Sequence, residues 1–182
     1  TPDISSDGDG FCATWVQDNR IHINRWTDTV SWDTTTGRTI DTASALARKT
    51  PRIASHGADR YCVAWIEDVV VVSNAFDGTD WGATAVVVDT MTGASDALRI
   101  AASGSGYALT WREWSGGTYN LYGNVLAGGS WGTVPLLMEG LDRDVGIGVC
   151  GGVGGARSAG AALADQLRTG RQSPLYRVRP AQ

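Results

Sequence analysis

The sequence predicts an all-β protein made of repeated four-stranded units, and three observations support this prediction. The chain contains three segments that carry the same landmark residues in the same order, 47 to 50 residues apart. Within each segment, one stretch alternates large and small side chains with the two-residue period of a β-strand. The composition, with 24 glycines and 8 tryptophans in 182 residues, is typical of short strands joined by tight turns.

Four landmarks define the repeat, and each occurs once in every segment. An isoleucine comes first, a tryptophan follows, and an asparagine and a second tryptophan complete the series. The same order three times over indicates a repeat architecture. The landmarks are Ile4, Ile53 and Ile100; Trp15, Trp65 and Trp111; Asn24, Asn74 and Asn124; and Trp32, Trp81 and Trp131.

Each unit is predicted to contain four strands. The first is short, carries the isoleucine and ends at a glycine turn, as at Gly8 and Gly57. The second carries the first tryptophan, and the third runs through the asparagine. The fourth follows the second tryptophan. In units two and three it contains the apolar segments "TAVVVD" and "TVPLLME", which predicts that this strand is buried on both faces.

The second strand of each unit has a large-residue face and a small-residue face. A face of large side chains interdigitates well with a face of small ones, so this pattern predicts that successive sheets stack face to face. The large-residue faces carry Phe11, Ala13, Trp15 and Gln17; Tyr61, Val63, Trp65 and Glu67; and Tyr107, Leu109, Trp111 and Glu113. The small-residue faces carry Cys12 and Thr14; Cys62 and Ala64; and Ala108 and Thr110.

Four strands in about 47 to 50 residues, repeated along the chain, predict a single β-propeller-like domain. A lone four-stranded sheet cannot bury both of its faces, so neighbouring units must cover them. The predicted repeats span residues 1–49, 50–96 and 97–143, and residues 144–182 form a divergent and incomplete last repeat.

The last repeat keeps the register of the first strand but loses the aromatic landmarks. Ile147 lies 47 residues after Ile100, whereas Ser158 stands where Trp111 would recur. An incomplete unit leaves a sheet edge unpaired, and three outcomes stay open. The chain is a fragment, another copy completes the array, or the tail folds differently, with residues 155–168 as strand or helix.

The segment "GIGVCG" at residues 146–151 has the G-x-G-x-x-G spacing of a dinucleotide-binding loop. That loop follows a buried strand and opens a helix within a βαβ unit, whereas a polar stretch precedes this segment. The repeat register already accounts for Ile147 and Gly151. We therefore interpret the segment as the first strand and turn of the last repeat, and we predict no cofactor.

The pattern "RIA…GYALTW…NLYGNV…GSWG" resembles the degenerate blade repeats of bacterial secreted β-propeller proteins, in the neighbourhood of sialidase-like and lectin-like propellers. The resemblance extends over residues 1 to about 140 and implies an extracellular or cell-surface location. The sequence departs from the sialidase type in two respects. "SSDGDGFCATW" holds the letters of the Asp-box S-x-D-x-G-x-T-W at a different spacing, and it lies before the second strand instead of between the third and the fourth.

Charge and hydropathy argue against two classes of partner. The net charge is −4 and no basic patch is present, so we predict no nucleic-acid partner. No apolar run approaches the roughly 20 residues of a membrane helix, so we predict no membrane span.

Cys12 and Cys62 occupy the same repeat position in adjacent sheets, which lie about 10 Å apart. This distance is too great for a disulfide, so we predict that both are buried free thiols.

The sequence also predicts a protein without catalytic or metal-binding residues. His22 and His56 stand at non-equivalent positions, and no motif for a catalytic nucleophile is present. The "DGDG" segment offers only Asp7 and Asp9 as calcium ligands, so we interpret it as an ordinary turn.

One repeat position carries two glutamates, which could form a pair of carboxylates of the glycosidase type. Glu67 and Glu113 are equivalent to each other and to Gln17. Because one member of the series is a glutamine, we interpret the series as a structural column of polar residues.

Five aromatic residues are the candidate ligand contacts. Flat indole rings stack on the C–H faces of sugars, and one weak site per unit would gain strength through multivalency. Alternatively, the turn tryptophans fill the gaps between units. Trp114 and Tyr119 belong to the insertion "EWSGGTYN", which has no counterpart in the other units, and are therefore the favoured exposed contact. The candidates are Trp114, Tyr119, Trp32, Trp81 and Trp131.

These observations give three hypotheses about function. The first is a non-catalytic binding or interaction module for a carbohydrate or protein partner, with glycans as the candidate ligand class. The second is a structural repeat unit of a larger propeller or surface assembly, which self-association or another chain completes. The third is a degenerate or partial sialidase-like hydrolase, which requires an arginine cluster and paired acids.

Overall fold

The computed structural model describes residues 1–27, 32, 37–42, 45–57, 59–91, 93–103, 106–133 and 136–141. These residues form strands joined by turns, without a helix, which confirms the all-β class. It follows that no apolar helix of membrane-spanning length occurs among them. The predicted last repeat, residues 144–182, lies outside the described residues, and the "GIGVCG" segment lies there too.

Thirteen strands occur in the described residues. Unit one contains β1 (Asp3–Ser6), β2 (Gly10–Gln17), β3 (Arg20–Thr27) and β4 (Arg38–Thr39). Unit two contains β5 (Arg48–Ser55), β6 (Tyr61–Glu67), β7 (Val70–Phe76) and β8 (Val86–Thr90). Unit three contains β9 (Ala94–Ser103), β10 (Gly106–Ser115), β11 (Thr118–Ala127), β12 (Ser130–Trp131) and β13 (Leu136–Leu141).

Each unit folds as one antiparallel sheet in which the first three strands pair in chain order. The strand orders are β1-β2-β3-β4 and β5-β6-β7-β8, and in unit three β9-β10-β11 continues to β12 and β13, which both pair with β11. Tight hairpin turns connect the central strands. Asp18 and Asn19 adopt left-handed backbone angles between β2 and β3, and Gly116 and Gly117 do so between β10 and β11.

The repeated landmarks occupy the same register positions in all three sheets. Each landmark asparagine lies opposite the residue that precedes the second-strand tryptophan by two positions. Residues that lie directly opposite each other on antiparallel strands share a face, so the landmarks sit on equivalent faces of the three sheets. The asparagine pairs are Ala13 with Asn24, Val63 with Asn74, and Leu109 with Asn124.

The first strands of units two and three are longer than the sequence predicts. The short first strand is found only in unit one, because β5 and β9 both continue towards the N-terminus past a β-bulge. Thr50 and Ala97, at equivalent repeat positions, adopt φ angles of 47° and 53° at these bulges. The extra residue shifts the register and re-aims the strand. A bulge of this kind has no fixed sequence signature, so the prediction was wrong for these two strands.

The small-residue face of unit one packs against the large-residue face of unit two, and we call this contact seam one. Cys12, Ile21 and Ile23 from unit one form a single buried cluster with residues of unit two. Tyr61 and Trp65 are fully buried in that cluster. The Arg25 guanidinium also lies over the Phe76 ring, with its carbon 4.4 Å from the ring centroid.

Seam two repeats the arrangement between units two and three. Ala54 and Cys62 on the small-residue face of unit two cluster with Tyr107 of unit three. Ala64 packs in a neighbouring cluster with Trp111, which is fully buried. In both seams, therefore, large aromatic side chains fill the space beside small ones, which gives each sheet a dense core contact.

The first strands of the three units lie next to one another. β1 contacts β5, and β5 contacts β9. Side chains tie each first strand to the next unit: the Ile53 N–H donates to the Asp3 carboxylate at 3.1 Å, and Arg52 Nε donates to the Leu98 carbonyl at 3.2 Å.

The connection from unit one to unit two is fixed by a buried ion pair. Arg48 and Asp41 have fully buried side chains, with 2.5 Å between Arg48 Nε and Asp41 Oδ2. Arg48 Nη1 and Nη2 also donate to the Asn19 and Thr42 carbonyl oxygens. These contacts compensate the buried guanidinium, which would otherwise be costly to desolvate.

The fourth strand of unit two is not buried on both faces, contrary to the prediction from its apolar sequence. Val86 and Val87 are more than half exposed, whereas Val88 is buried. β8 pairs only with β7 and lies at the edge of its sheet, so the neighbouring unit reaches only part of it.

We expect Tyr61→Ala to destabilise the protein far more than Phe11→Ala, although the two residues are repeat equivalents. Tyr61 is fully buried in seam one, so its truncation should lower the free energy of unfolding by about 3–5 kcal/mol. Phe11 is 42 % exposed, so its truncation should cost less than about 1 kcal/mol. Chemical denaturation followed by circular dichroism measures both. Equal losses would contradict the face-to-face packing.

Candidate functional site

The insertion in unit three lengthens one hairpin. The β2–β3 and β6–β7 hairpins close at the pairs Gln17–Arg20 and Glu67–Val70. In unit three the equivalent pair is Glu113–Asn120, and two further residue pairs extend the hairpin beyond it. The first of these extra pairs joins Trp114 directly to Tyr119. The structure therefore brings together the two residues that the sequence favours as an exposed contact.

Trp114 and Tyr119 form an aromatic pair at the surface. Their ring centroids are 4.7 Å apart and the ring planes make an angle of 62°, an edge-to-face geometry. Trp114 is 44 % exposed, so much of its indole remains open to solvent. Both residues are held in the sheet, since Trp114 pairs with Ala94 on β9 and Tyr119 pairs with Leu141 on β13.

Gly93 allows the chain to pass close to this hairpin. A Cβ atom at Gly93 would lie 1.9 Å from the Trp114 carbonyl oxygen, so a larger residue would push the two segments apart. The glycine thereby fixes the backbone from which the Trp114 side chain projects.

A charged pair adjoins the aromatic pair on the same face of the sheet. The Arg112 guanidinium makes two hydrogen bonds to the Asp96 carboxylate, at 2.8 and 2.7 Å. Its carbon also lies 4.2 Å from the Tyr119 ring centroid, in a cation–π contact. The hydrogen bond with Asp96 raises the pKa of Arg112, so the guanidinium stays charged. The Asp96 side chain is half exposed beside this cluster.

The three turn tryptophans have different environments. Trp81 is 5 % exposed and packs in seam one, 5.6 Å from the Phe76 ring. Trp131 is half-buried, and its indole N–H donates to Ser73 Oγ across seam two at 2.8 Å. Trp32 is 43 % exposed. The same sequence landmark therefore lies within a seam in units two and three and on the surface in unit one.

The landmark asparagines hold the turns that carry two of these tryptophans. Asn74 Nδ2 donates to the Gly82 carbonyl at 3.0 Å, and Asn124 Nδ2 donates to the Gly132 carbonyl at 3.0 Å. A Cβ at either glycine would come within 3 Å of the asparagine Oδ1. The repeat pattern marks these asparagines as landmarks but does not by itself indicate this role. The recurrence of a Trp-Gly pair, with the glycine eight residues after the asparagine, is the signal that could have indicated this role.

An apolar groove on unit one was also missed by the sequence analysis. It has a volume of about 340 Å³ and is lined by Ile4, Phe11, Trp26 and Trp32. The available signal was the aromatic character of Phe11 and Trp32, which stand at the repeat positions of Tyr61 and Trp81. The large-residue face of unit one has no preceding unit among the described residues.

The polar column that follows the second-strand tryptophans has a structural role in units one and two. Trp15 Nε1 donates to Gln17 Oε1 at 3.1 Å, and Trp65 Nε1 donates to Glu67 Oε2 at 3.4 Å. Glu67 also forms an ion pair with Arg48 at 3.3 Å. Glu67 and Glu113 lie on equivalent faces of successive sheets and not on facing surfaces. This supports the interpretation of the series as a structural column.

The residues considered for metal binding form an ordinary turn. The Asp7 carboxylate accepts hydrogen bonds from the Asp9 and Gly10 backbone N–H groups, at 3.0 and 2.7 Å. Asp7 thus closes its own turn. Within the residues whose positions are described, no group of three or more His, Cys, Asp or Glu side chains has the arrangement of a metal site.

Cys12 and Cys62 are buried free thiols, as predicted. Burial disfavours the charged thiolate and raises the pKa of each thiol to about 12. A thiol with this pKa is inert as a nucleophile near neutral pH. Both cysteines therefore act as small apolar residues on the small-residue faces.

No family model matches the sequence, and no curated protein sequence is significantly similar to it.

We expect Cys12 and Cys62 to resist alkylation in the folded protein. At pH 8 a thiol of pKa about 12 is ionised in about one molecule in ten thousand, and burial blocks access as well. Incubation with iodoacetamide, followed by peptide mass spectrometry, should show both peptides unmodified. The same incubation in denaturant is the control and should modify both. Rapid labelling of the folded protein would show that the small-residue faces are open.

Proposed function

We propose that this chain is a non-catalytic binding module with a propeller-like arrangement of units, and that it recognises a glycan at the extended hairpin of unit three. The propeller-like arrangement is supported by the adjacent first strands β1, β5 and β9 and by the repeated stacking in the two seams. In such an arrangement the first strands lie nearest the axis and the fourth strands lie outermost.

The observation that supports glycan binding is the exposed aromatic pair of Trp114 and Tyr119. An indole that is 44 % exposed offers a flat apolar surface for the C–H face of a sugar ring. The edge-to-face contact with Tyr119, and strand pairing on both sides, fix this surface before a ligand arrives. A preorganised surface loses little conformational entropy on binding.

The Asp96 carboxylate beside the aromatic pair supplies a polar group that such a site needs. Sugar hydroxyls donate hydrogen bonds that the Asp96 carboxylate can accept, while Arg112, which is 6 % exposed, holds that carboxylate through two hydrogen bonds. Asp96 is half exposed and lies on the same side of the sheet as Trp114. A glycan that stacks on the indole would therefore find an acceptor beside it.

The proposal rests on a single site in unit three. Because Trp81 is only 5 % exposed and Trp131 is half-buried in seam two, these two rings offer little surface for stacking. Trp32 is exposed, but it lies in an apolar groove among Ile4 and Phe11. We place the target among extracellular or cell-surface glycans, in agreement with the location that the sequence resemblance implies.

A structural unit of a larger assembly is the second candidate function. It is supported by the exposed large-residue face of unit one, where Ile4, Phe11 and Trp32 are each more than 40 % exposed. The two functions use different surfaces and do not exclude each other.

We expect Trp114→Ala to lower glycan affinity by about tenfold or more, because the stacking surface is removed. A glycan array identifies the ligand, and calorimetric titration of that ligand measures the dissociation constants. The fold should survive the substitution, since the side chain is half exposed.

Trp32→Ala is the matched control for this experiment, because Trp32 is 43 % exposed but lies on unit one. Its affinity should equal that of the unaltered protein. Folded protein that binds no glycan on the array would contradict the proposal, and so would equal losses in the two variants.

A further inference from the structure

The large-residue face of unit one is exposed, although its repeat equivalents are buried. Ile4 is 57 % exposed and Phe11 is 42 % exposed, whereas the equivalent Ile53 and Tyr61 are 5 % and 0 % exposed. Trp32 is 43 % exposed, and its equivalent Trp81 is 5 % exposed. A cluster of exposed apolar side chains of this kind marks an interaction surface.

Seam one shows what covers the equivalent large-residue face of unit two. Cys12, Ile21 and Ile23 of unit one pack on the large-residue face of unit two. Arg25 lies over Phe76, at 4.4 Å from the ring centroid. The covering face thus combines a small side chain on the second strand, branched aliphatic side chains on the third, and a cation over the aromatic ring.

Seam two uses the same kind of covering face with different residues. Ala54, Cys62 and Ala75 of unit two pack against the large-residue face of unit three. Ala75 occupies the position of Arg25, and Ser73 accepts a hydrogen bond from the indole of Trp131. Two seams therefore define one rule: a small-residue face covers a large-residue face.

We propose that the large-residue face of unit one is a docking surface for a further four-stranded unit that presents a small-residue face. The groove lined by Ile4, Phe11, Trp26 and Trp32 receives that unit as Ile53, Tyr61, Phe76 and Trp81 receive unit one.

Seam one also indicates a feature of the incoming unit, namely a cation like Arg25, which lies over the Phe76 ring. Trp26 is the repeat equivalent of Phe76 in unit two. It lies opposite Phe11 on the same face, and the ring centroids of Trp26 and Phe11 are 5.7 Å apart. Tryptophan is the strongest cation–π partner, so an arginine at the third-strand position of Arg25 suits this surface.

A second copy of this chain does not supply the required face from its described residues. The small-residue faces of units one and two already lie in the seams. In unit three, Ala101, Ala108 and Thr110 are each less than 10 % exposed. Two copies facing each other through unit one would set large side chains against large ones, which prevents interdigitation.

The sequence allows a direct test, because unit one can be duplicated with its natural junction. Thr1-Pro2-Asp3-Ile4 corresponds to Thr50-Pro51-Arg52-Ile53. A tandem protein that places residues 1–49 before the full chain therefore joins Lys49 to Thr1 as Lys49 is joined to Thr50. The added outer unit then offers Cys12, Ile21 and Arg25 to the inner copy of unit one.

The experiment compares one substitution, Phe11→Asp, at the inner and outer copies of unit one in the tandem protein. The inner Phe11 should now be buried like Tyr61, so the inner substitution should reduce the folding equilibrium constant by more than about tenfold. The outer Phe11 stays exposed, so the outer substitution should change it by less than about threefold. Urea denaturation measures both, and each variant is the control for the other.

Three results decide the proposal. A larger loss at the inner position supports it. Equal effects at the two positions would overturn it, because the added unit would not cover the face. Light scattering of the full chain without the added unit gives the third result. If that chain is a dimer, and Phe11→Asp makes it a monomer, a second copy is the occupant and the proposal is overturned.

Discussion

The packing of a large-residue face against a small-residue face is the interaction on which the rest of the structure depends. A four-stranded sheet has two faces, and neither can be buried within its own unit. In seam one, Tyr61 and Trp65 fill the space beside Cys12, and in seam two Tyr107 lies beside Cys62. The polar links between units support this packing: the buried Arg48–Asp41 pair fixes the connection, and Asp3 and Arg52 tie the first strands together.

Because every unit follows the same pattern, surfaces available for binding arise where the pattern is interrupted. The hairpin of unit three is two residue pairs longer than its equivalents, and this extension carries Trp114 and Tyr119 to the surface. No unit among the described residues packs on the large-residue face of unit one, and Phe11 and Trp32 are exposed there. The two proposals follow from these interruptions, and they use opposite ends of the described repeat series.

Much of the fold could be predicted from the sequence, because periodic alternation and repeated landmarks depend on local spacing. The four-strand pattern, the two kinds of face and the buried thiols of Cys12 and Cys62 all follow from such spacing. The length of the first strands could not be predicted, since the bulges at Thr50 and Ala97 depend on backbone angles that the residue types do not specify. The exposure of Val86 was missed because apolar composition does not show whether a strand lies at an edge.

For the candidate sites, the sequence by itself determined which aromatic residues are repeated and which are inserted. It thereby singled out Trp114 and Tyr119, and the turn tryptophans as a separate series. Only the tertiary structure decided which of those rings are open to solvent. Trp32 and Trp81 are the same landmark, yet one is exposed and the other is buried in a seam. Exposure depends on whether a neighbouring sheet covers the face. The residues of that neighbouring sheet are distant in sequence from the ring that they cover.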